Sequence, residues 1–492
     1  MQVLLFVALF LVVTSKAADL TCPTGPISSK TPTGAFPATG ISVFPANYNC
    51  SIEFDIPDGQ VVEFVVETNV IPGSGDSLLI RDAVSTFYEM NSSVSLFYAP
   101  ANNAKLYITT KTATSYFYFN WKYLDVTNYK RIQNPTGTIL PMNLTQGSYY
   151  QFTSAKSRVA FHTGNLKNNL DLGLSQILVY DGEDLKAKYI GTLFQFLQTK
   201  TLSASTGNSL VLVNYYGTES WSYGIANDYS AVFSYDSYGF SILSKDIDYS
   251  EAFSVTDRFE SAVTFYCIDS DETYITDLTM ANRNNGGQAV RFKPRTPTEV
   301  YTNLLVYNTG DRIAQSLPQQ IMTNIFTVTM YQCDLRLGFV SGPLFLWTTA
   351  APGRQGMIYS PSNWNPTLPI TPQYFTNITT KENAKFVFNI PFVLVKPGEK
   401  IRVEIGNPDG RKVFVEFNTT SIDTGTKAAY GTYMATTFTG THSMGNSSFK
   451  MSFSVEGSVS VPTASPLVTT TKSSEGVFNC SVFLLLLVKL IV

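Results

Sequence analysis

The strongest structural signal in the sequence is an alternating aromatic run, Tyr116-Phe117-Tyr118-Phe119-Asn120-Trp121-Lys122-Tyr123. In a β-strand, successive side chains point to opposite faces. The alternation therefore places Phe117, Phe119 and Trp121 on one face and Lys122 on the other, as in a strand with one buried side. Aromatic residues also favour the pleated, half-buried surface of a sheet.

Further strands are predicted on both sides of this run. Val61–Glu67 is β-branched and aromatic, and Leu210–Val213 and Ala231–Tyr235 have the same character. Turn clusters at Pro57-Asp58-Gly59 and Asp181-Gly182 separate such segments. Helical periodicity is scarce. Short strands at regular spacing predict an all-β chain built of antiparallel β-sandwich modules.

Composition limits the class of protein. The chain has 492 residues, a formal net charge of -3 and only 14% charged residues, against 13% aromatic residues. A near-neutral chain without a basic cluster is not expected to bind nucleic acid, because that binding depends on Lys and Arg neutralising phosphates. The length is too great for one core and predicts three or four domains of roughly 100 to 150 residues.

The N-terminus resembles a secretion signal. Met1–Val13 is a short apolar run, and the small residues Ser15 and Ala17 predict cleavage after Ala17. The protein is therefore expected to be extracellular.

The C-terminus ends in a second apolar segment, Val482–Val492, which is too short to span a bilayer. A polar spacer followed by a short apolar tail is typical of a signal that is exchanged for a glycosylphosphatidylinositol (GPI) anchor. Ser474 is the preferred attachment residue because Gly476 supplies the small residue two positions on, and Ser473 is an alternative. Lys489 within the tail favours the other interpretation, a secreted protein without an anchor.

Five cysteines are present, one of which, Cys480, lies in the predicted tail. The other four form an even set, as expected for disulfides in an oxidising compartment. The simplest pairing is Cys22–Cys50 and Cys267–Cys333. No CxxC motif is present, so zinc and redox roles lack their usual spacing. The favoured glycosylation sequons lie in polar, turn-like contexts at Asn91, Asn143, Asn377, Asn418 and Asn446.

A repeat organises the chain. Asp76–Asp82 aligns with Ser175–Asp181, and Asn303–Asp311 is a fainter copy. The resulting domain prediction is a signal peptide (1–17), a first module (18–128), a second module (129–240), a weakly similar β module (241–350), a C-terminal β-sandwich (351–460), a Ser/Thr/Pro stalk (461–474) and a removed tail (475–492).

These residues resemble the CUB domain, and more closely the nematode-type CUB-like family of secreted or GPI-anchored proteins. The resemblance rests on Phe44–Cys50 and Asn120–Asp125 in the first module, and on Val179–Gly182, Gly191–Leu193 and Ser205–Leu210 in the second. It covers residues 22–240 and extends only weakly beyond them.

The resemblance implies an extracellular β-sandwich interaction module, a first cystine between Cys22 and Cys50, and a link to innate defence. It does not imply an enzyme. Calcium-binding CUB modules use one Glu and two Asp. Here Glu67 and Asp76 occupy the first two places, but the third falls near Thr109-Thr110, which has no carboxylate. The alternative interpretation is that Glu67 and Asp76 are solvated residues at strand ends.

The second module departs further from that calcium pattern. Ser175 replaces the Asp, and the stretch around Asn214-Tyr215 has no acid. Calcium binding needs six to eight oxygen ligands with charge among them. No metal and no cofactor is therefore predicted.

Catalytic motifs are also absent from the sequence. The two histidines, His162 and His442, are interpreted as structural or surface residues, and no GxSxG, HExxH or P-loop pattern occurs. The acidic residues of Asp181–Asp184 are interpreted as a solvated hairpin turn rather than a glycosidase pair.

Aromatic residues near Trp221 and Tyr223 have two interpretations. They either form core packing or present an exposed platform for a protein or glycan ligand. Three functions stay open: a non-catalytic surface protein that binds microbial or host ligands in innate immunity, a structural or adhesive protein of the apical surface, and an enzyme with a site within residues 241–460.

Overall fold

A computed structural model of the chain describes residues 20–91, 94–166, 169–198, 203–254, 260–282, 287–367, 374–422, 424–439, 447–457 and 468–470. Within these ranges the regular secondary structure is predominantly β-strand, arranged in several mainly antiparallel sheets. The helices in the described ranges are all at most five residues long. The prediction of an all-β fold is confirmed.

The predicted first module contains eight strands in one sheet, in the order β2-β8-β4-β7-β5-β6, with β1 beside β4 and β3 beside β8. The strands are β1 (Ile27–Ser28), β2 (Thr33–Phe36), β3 (Ser42–Val43), β4 (Asn49–Asn69), β5 (Ser77–Arg81), β6 (Phe87–Glu89), β7 (Val94–Thr109) and β8 (Tyr116–Asp125).

The alternating aromatic run lies in β8 and behaves as predicted. Phe117, Phe119 and Trp121 are buried, while Lys122 is exposed. Trp121 lies across the sheet from Gly34, where a Cβ would come within 2.1 Å of the indole ring. Glycine is therefore required opposite this tryptophan.

The sheet folds over its own apolar face because β4 bends sharply. The rings of Phe54 and Phe64 are 4.8 Å apart at an interplanar angle of 87°, although ten residues of straight strand would span about 33 Å. The pairing register with β7 shifts between Ile56 and Val61. The predicted turn at Pro57-Asp58-Gly59 thus marks a bend within one continuous strand, not a loop between two strands.

Residues 129–243 contain two further sheets, in the orders β14-β13-β15-β11-β9 and β10-β16-β12. The elements are β9 (Lys130–Pro135), β10 (Ile139–Pro141), β11 (Ser148–Thr153), β12 (Val159–Gly164), a 3-10 helix (Leu172–Gln176), β13 (Ile177–Asp181), β14 (Lys188–Thr192), α1 (Leu193–Leu197), β15 (Ser209–Asn214), β16 (Tyr223–Asp228), α2 (Tyr229–Val232) and β17 (Tyr238–Leu243).

Part of this strand prediction is wrong. Ala231–Tyr235 is not a strand, since α2 occupies its first two residues and turns follow. Tyr229 and Phe233, one helical turn apart, stack with ring centroids 5.7 Å apart. A short aromatic run has the composition of a strand whether or not a sheet edge is available to pair with it.

Residues 238–341 form two sheets, β17-β19-β24-β21-β22 and β18-β25-β20-β23, in which only β17 and β19 run parallel. The elements are β18 (Tyr249–Phe253), β19 (Glu260–Cys267), β20 (Thr273–Asn282), β21 (Ala289–Pro294), β22 (Leu305–Asn308), α3 (Ile313–Ser316), β23 (Gln319–Ile321), β24 (Ile325–Tyr331), β25 (Cys333–Ser341), α4 (Phe345–Thr348), β26 (Gln355–Tyr359) and α5 (Pro361–Trp364).

A phenylalanine cluster joins these two sheets. Phe265 and Phe326 from one sheet meet Phe339 from the other, with ring centroids 4.9 to 5.4 Å apart. All three are buried in one core. This β region is therefore a sandwich.

The last described sheet has the order β26-β32-β27-β31-β28-β29. Its remaining strands are β27 (Tyr374–Leu394), β28 (Lys400–Gly406), β29 (Lys412–Phe417), β30 (Ser421–Ile422), β31 (Thr426–Thr439), β32 (Ser448–Glu456) and β33 (Val468–Thr470). The strand β33 lies inside the predicted stalk and pairs with β31.

The chain divides into two compact units. The first comprises residues up to 134, 142–153 and 171–220, and the second comprises 135–141, 154–170 and the residues from 221 onwards. The five-stranded sheet formed by β14, β13, β15, β11 and β9 belongs almost wholly to the first unit. The sheet formed by β10, β16 and β12 belongs to the second. The predicted second module, 129–240, thus contributes to both units.

The predicted disulfide between Cys267 and Cys333 is not formed. Both residues are buried thiols. The side chain of Cys267 is hydrogen-bonded to Ser341, at the end of β25, whereas Cys333 begins the same strand. Eight residues of strand span about 26 Å, and a disulfide requires Cα atoms within roughly 7 Å.

Candidate functional site

The loop ends of the first module hold the acidic residues that the calcium pattern singled out. Asp76 is buried, and its carboxylate accepts hydrogen bonds from the backbone N–H groups of Lys111 (2.6 Å) and Thr112 (3.0 Å). It also accepts from the hydroxyls of Thr112 (2.6 Å) and Ser115 (2.7 Å). Asp76 is therefore not a solvated residue at a strand end, and that interpretation is wrong for it.

These donors control the ionisation of Asp76. Burial alone would raise the pKa of the carboxyl group. The hydrogen bonds from Thr112, Ser115 and the two backbone N–H groups outweigh burial and hold the pKa of Asp76 well below its ordinary range. The carboxylate is charged and saturated, so its role is to fix the loop between β7 and β8.

Thr110, at the third place of the calcium pattern, also makes its hydrogen bonds within the protein. Its hydroxyl donates to the carbonyl of Pro45 at 2.5 Å and accepts from the N–H of Tyr48 at 2.9 Å. Glu67 is half-buried in β4. No cluster of three or more His, Cys, Asp or Glu side chains suited to a metal occurs in the described part of the chain.

The first cystine is present as predicted. Cys22 and Cys50 are joined, with their Cα atoms 5.6 Å apart. Cys50 is buried at the start of β4, so the bond ties the N-terminal segment to the core of the first module.

His162 does not have the environment of a catalytic base. It lies in β12, with its ring edge-on to Tyr238 and the two ring centroids 4.7 Å apart. Burial lowers the pKa of His162 to about 4, and its Nδ1 is buried without a hydrogen-bond partner among the described residues. The imidazole is neutral at physiological pH. His442 lies outside the described residues.

Trp221 and Tyr223 differ in exposure. Trp221 is 56% exposed, whereas Tyr223 is half-buried at the start of β16 and packs edge-on against Tyr266, with ring centroids 5.6 Å apart. Tyr223 and Leu166 both pack against the buried cluster of Ile225, Phe240 and Ile242. The exposure of Trp221 is what the platform interpretation requires, whereas the packing of Tyr223 fits the core interpretation.

A cavity of about 260 Å³ adjoins this cluster. Leu166 and Ile242 contribute to its wall as well as to the packing beneath Tyr223. Ile247, Asp248 and Glu251 also line the cavity, and the last two add carboxylates. The carboxylates of this cavity suit a polar ligand through hydrogen bonding. Trp221, two residues before Tyr223 in the chain, offers an exposed indole for stacking, because aromatic side chains supply large, rigid contact area. We call Trp221, Tyr223 and this cavity the Trp221 site.

One of the two carboxylates that line the cavity already has a hydrogen-bond partner within the protein. The hydroxyl of Tyr249 donates to the carboxylate of Glu251. Burial, together with the adjacent Glu251 charge, raises the pKa of Tyr249 far above its ordinary value. Asp248 is exposed. Tyr249 thus stays a neutral donor that orients Glu251.

The asparagines predicted to carry sugars differ in their exposure. Asn91, Asn143 and Asn418 are exposed. Asn377 is half-buried in β27, with its Oδ1 buried and without a hydrogen-bond partner among the described residues. Asn446 and the proposed anchor residue Ser474 lie outside the described residues.

Sequence reasoning missed Leu166, Ile242 and Glu251 at the Trp221 site. The alternation in Tyr238–Leu243 could have placed Phe240 and Ile242 on one face. No local signal shows that β17 pairs in parallel with β19, and this pairing helps to place Ile242 beside the residues of β16 and β12.

Comparison with known families gives a match in the first module. Residues 17–127 match the family model of the CUB-like domain. The chain contains a CUB-like domain. This domain covers the strands β1 to β8 and the Cys22–Cys50 cystine. Residues 138–215 match a second family, described only as a domain of unknown function.

Comparison with solved structures adds no argument about fold. The CUB1-EGF-CUB2 domains of rat MASP-1 align with 64% of this chain and 99% of their own, at 6% identity and a TM-score of 0.17. The full extracellular region of zebrafish Gpr126/Adgrg6 aligns with 90% of this chain and 53% of its own, at 9% identity and a TM-score of 0.18. Both TM-scores lie far below 0.5. No curated protein matches the chain.

The match to the CUB-like domain indicates a general location and mode of action. CUB-like domains are extracellular, generally bind protein partners and are typically non-catalytic. None of the helices in the described ranges has the length and apolar character needed to cross a bilayer.

Proposed function

We propose that the chain is a non-catalytic extracellular surface protein that binds microbial or host ligands, in the innate immune response. The CUB-like domain at residues 17–127 is the observation that carries this proposal. Its ligand is a protein or a glycan. The nematode-type family and its defence link remain part of the proposal.

The Trp221 site is the proposed contact surface. The exposed indole of Trp221 supplies a flat apolar face, and Glu251 and Asp248 supply hydrogen-bond acceptors in the cavity. Stacking of a ring on an aromatic face needs little conformational ordering of the protein, since a Trp side chain has only two rotatable bonds.

The non-enzymatic part of the proposal is supported by the state of His162. A general base must be reachable by the proton it removes. His162 is held neutral by burial, lies edge-on to Tyr238 and makes no hydrogen bond through Nδ1 within the described chain.

The proposed location is the outer leaflet of the plasma membrane, through a GPI anchor at Ser474, with a secreted form as the alternative. The proposed modules are those at 18–128, 129–240, 241–350 and 351–460, preceded by the signal peptide and followed by the stalk. The N- and O-linked sugars expected on the exposed sequons and the stalk are proposed to supply solubility that the low charge does not.

The proposal is tested by binding. The purified, secreted chain is incubated with intact microbes, isolated microbial envelopes and a glycan array, and bound protein is measured together with released soluble products. Saturable binding without product release is expected. Turnover of an envelope polymer would refute the non-enzymatic claim, and absence of binding to all three would favour the structural role.

A further inference from the structure

A second surface, separate from the Trp221 site, lies along one edge of β20. The strand β23 pairs with β20 only from Thr273 to Ile275. Beyond Ile275 no other strand in the described chain pairs with this edge of β20, since β25 occupies the opposite edge. Unpaired sheet edges leave backbone N–H and C=O groups available to an extended chain.

A groove follows this free edge. Two adjoining cavities, of about 360 and 430 Å³, share Leu278, Thr279 and Ala314. The strand β20 forms one wall, and the segment from Asp311 to Pro318, which includes α3, forms the other. We call this feature the β20 groove.

The outer wall of the groove is held in place by Arg354. This buried guanidinium donates to the carbonyl oxygens of Gln315 (3.3 Å) and Pro318 (2.5 Å), and lies 5.5 Å from the ring centroid of Trp347. A wall fixed in this way does not have to be ordered by the ligand, which reduces the entropic cost of binding.

One end of the groove is apolar. Leu317, Pro318 and Leu346 line it near Thr276, and Leu346 is 61% exposed. Leu346 lies in α4, next to Phe345, which is 79% exposed. An aliphatic side chain of a ligand would remove this exposed apolar surface from water.

The other end carries one unpaired positive charge. Arg312 lines it near Met280, is exposed, and has no carboxylate within ion-pair distance in the described part of the chain. The neighbouring Asp311 makes no ion pair with it, and its oxygens are directed elsewhere: Oδ2 accepts the N–H of Asn308 at 2.8 Å and Oδ1 is buried. Asp277 is already paired with Arg336 at 3.1 Å.

The spacing of the two ends defines the ligand. Thr276 and Met280 are four strand residues apart, or about 13 Å. An extended peptide covers this distance in four residues. We propose that the β20 groove binds an extended segment of a protein partner that carries an aliphatic side chain at the Leu346 end and, four residues away, a carboxylate at Arg312.

The experiment uses a display library of random heptapeptides, selected on the full secreted chain and counter-selected on the double variant Arg312→Glu, Leu346→Ser. Enriched peptides are expected to share an aliphatic residue and an acidic residue four positions apart. The consensus peptide is then labelled and titrated by fluorescence anisotropy.

Single variants measure how much each end of the groove contributes to peptide binding. Leu346→Ser is expected to weaken binding about tenfold, through loss of an apolar anchor. Arg312→Glu is expected to weaken it about fivefold, as for an exposed charge pair. Lys381→Glu makes the same charge change at an exposed position outside the groove and should change affinity less than about twofold. Melting temperatures show that each variant is folded.

Several outcomes would overturn the proposal: no enrichment over the double variant, a consensus without the aliphatic–acidic spacing, or unchanged affinity in both single variants. Capture of a second copy of this chain in the groove would also overturn it. Trp221→Ala should leave peptide binding unchanged, so failure here is distinct from failure of the function proposed for the Trp221 site.

Discussion

Asp76 shows how a residue that suits a metal can instead serve the backbone. Its two carboxylate oxygens accept four hydrogen bonds from three residues of one loop, Lys111, Thr112 and Ser115. Hydrogen bonds to a charged group are stronger than those between neutral groups. The loop between β7 and β8 is therefore ordered by a charge supplied from the residue just before β5.

We predict that Asp76→Asn destabilises the CUB-like domain by about 2 kcal/mol, because the amide cannot accept from all four donors and brings its own N–H groups toward them. Thermal unfolding at neutral pH measures the loss. Amide exchange should rise first at residues 111–115, and a variant with unchanged exchange there would contradict the prediction.

The same site predicts an acid dependence. The pKa of Asp76 is lower in the folded state than in the unfolded state, where it is about 3.9. Its contribution to the free energy of unfolding is therefore full above about pH 4 and is lost as the pH falls through the folded pKa. The stability difference between wild type and Asp76→Asn should shrink as the pH falls from about 4 to 2. A difference that stays constant over this range would contradict it.

Calcium is expected to leave the first two modules unchanged. Asp76 and Thr110 already have protein partners, and calcium needs six to eight oxygen ligands. Millimolar calcium should therefore not raise the melting temperature of the chain. A rise of several degrees that is lost in Asp76→Ala would overturn this prediction.

Trp221 and Tyr223 should separate binding from folding. Trp221→Ala is expected to weaken ligand binding with little change in melting temperature, since the indole is largely exposed. Tyr223→Ala removes the packing against Tyr266 and is expected to cost about 2 kcal/mol of stability. Titration of the bound ligand and thermal unfolding of both variants measure the two effects. Equal destabilisation by both would place Trp221 in the core.

At the scale of elements, the pairing of strands decides which residues meet. Cys267 ends β19 and Cys333 begins β25, and the hydrogen bond between Ser341 and the side chain of Cys267 places the two cysteines at opposite ends of the same sandwich. An even cysteine count says nothing about this separation. Burial raises the pKa of the Cys267 thiol, which makes it less reactive.

We predict that the mature protein has two thiols that react only after unfolding. Alkylation of the native chain should leave Cys267 and Cys333 unmodified, and alkylation in denaturant without reductant should modify both. Peptide mapping should also recover the Cys22–Cys50 cystine. Recovery of a peptide that joins Cys267 to Cys333 would contradict the structure at this point.

The bend in β4 is the second feature at this scale. It lets one strand contribute Phe54 and Phe64 to the same core, so a single sheet folds over its own apolar face. Gly59, with φ of 77°, adopts a backbone conformation that favours glycine at the bend. The sequence Pro57-Asp58-Gly59 therefore predicts a change of chain direction. It does not show that this change occurs inside one continuous strand.

At the scale of the whole molecule, the proposed anchor sets where binding occurs. Phosphatidylinositol-specific phospholipase C should release the protein from the surface of cells that express it, because removal of the lipid leaves a chain held by no other proposed membrane segment. Immunoblotting of medium and cells measures release. Retention on cells, with peptides that extend past Cys480, would overturn the anchor.

The alternating run in β8 could be interpreted from sequence alone because burial of one face of a strand depends on local alternation. Phe117, Phe119 and Trp121 are buried as that pattern predicts. The helix α2 could not be interpreted in the same way. Its aromatic residues suit a strand, and only the absence of a pairing edge distinguishes the two states.

The all-β class, the cystine near the N-terminus and the CUB-like resemblance follow from composition, alternation and motif, which are properties of neighbouring residues. The cavity of the Trp221 site, the β20 groove and the distance between Cys267 and Cys333 depend on which strands pair and where each strand ends. Those pairings join residues far apart in the chain. Whether a sheet edge is paired with another strand or lines a groove depends on how the rest of the chain folds. Tertiary structure therefore decided the surfaces, because contact between distant strands has no counterpart in local sequence.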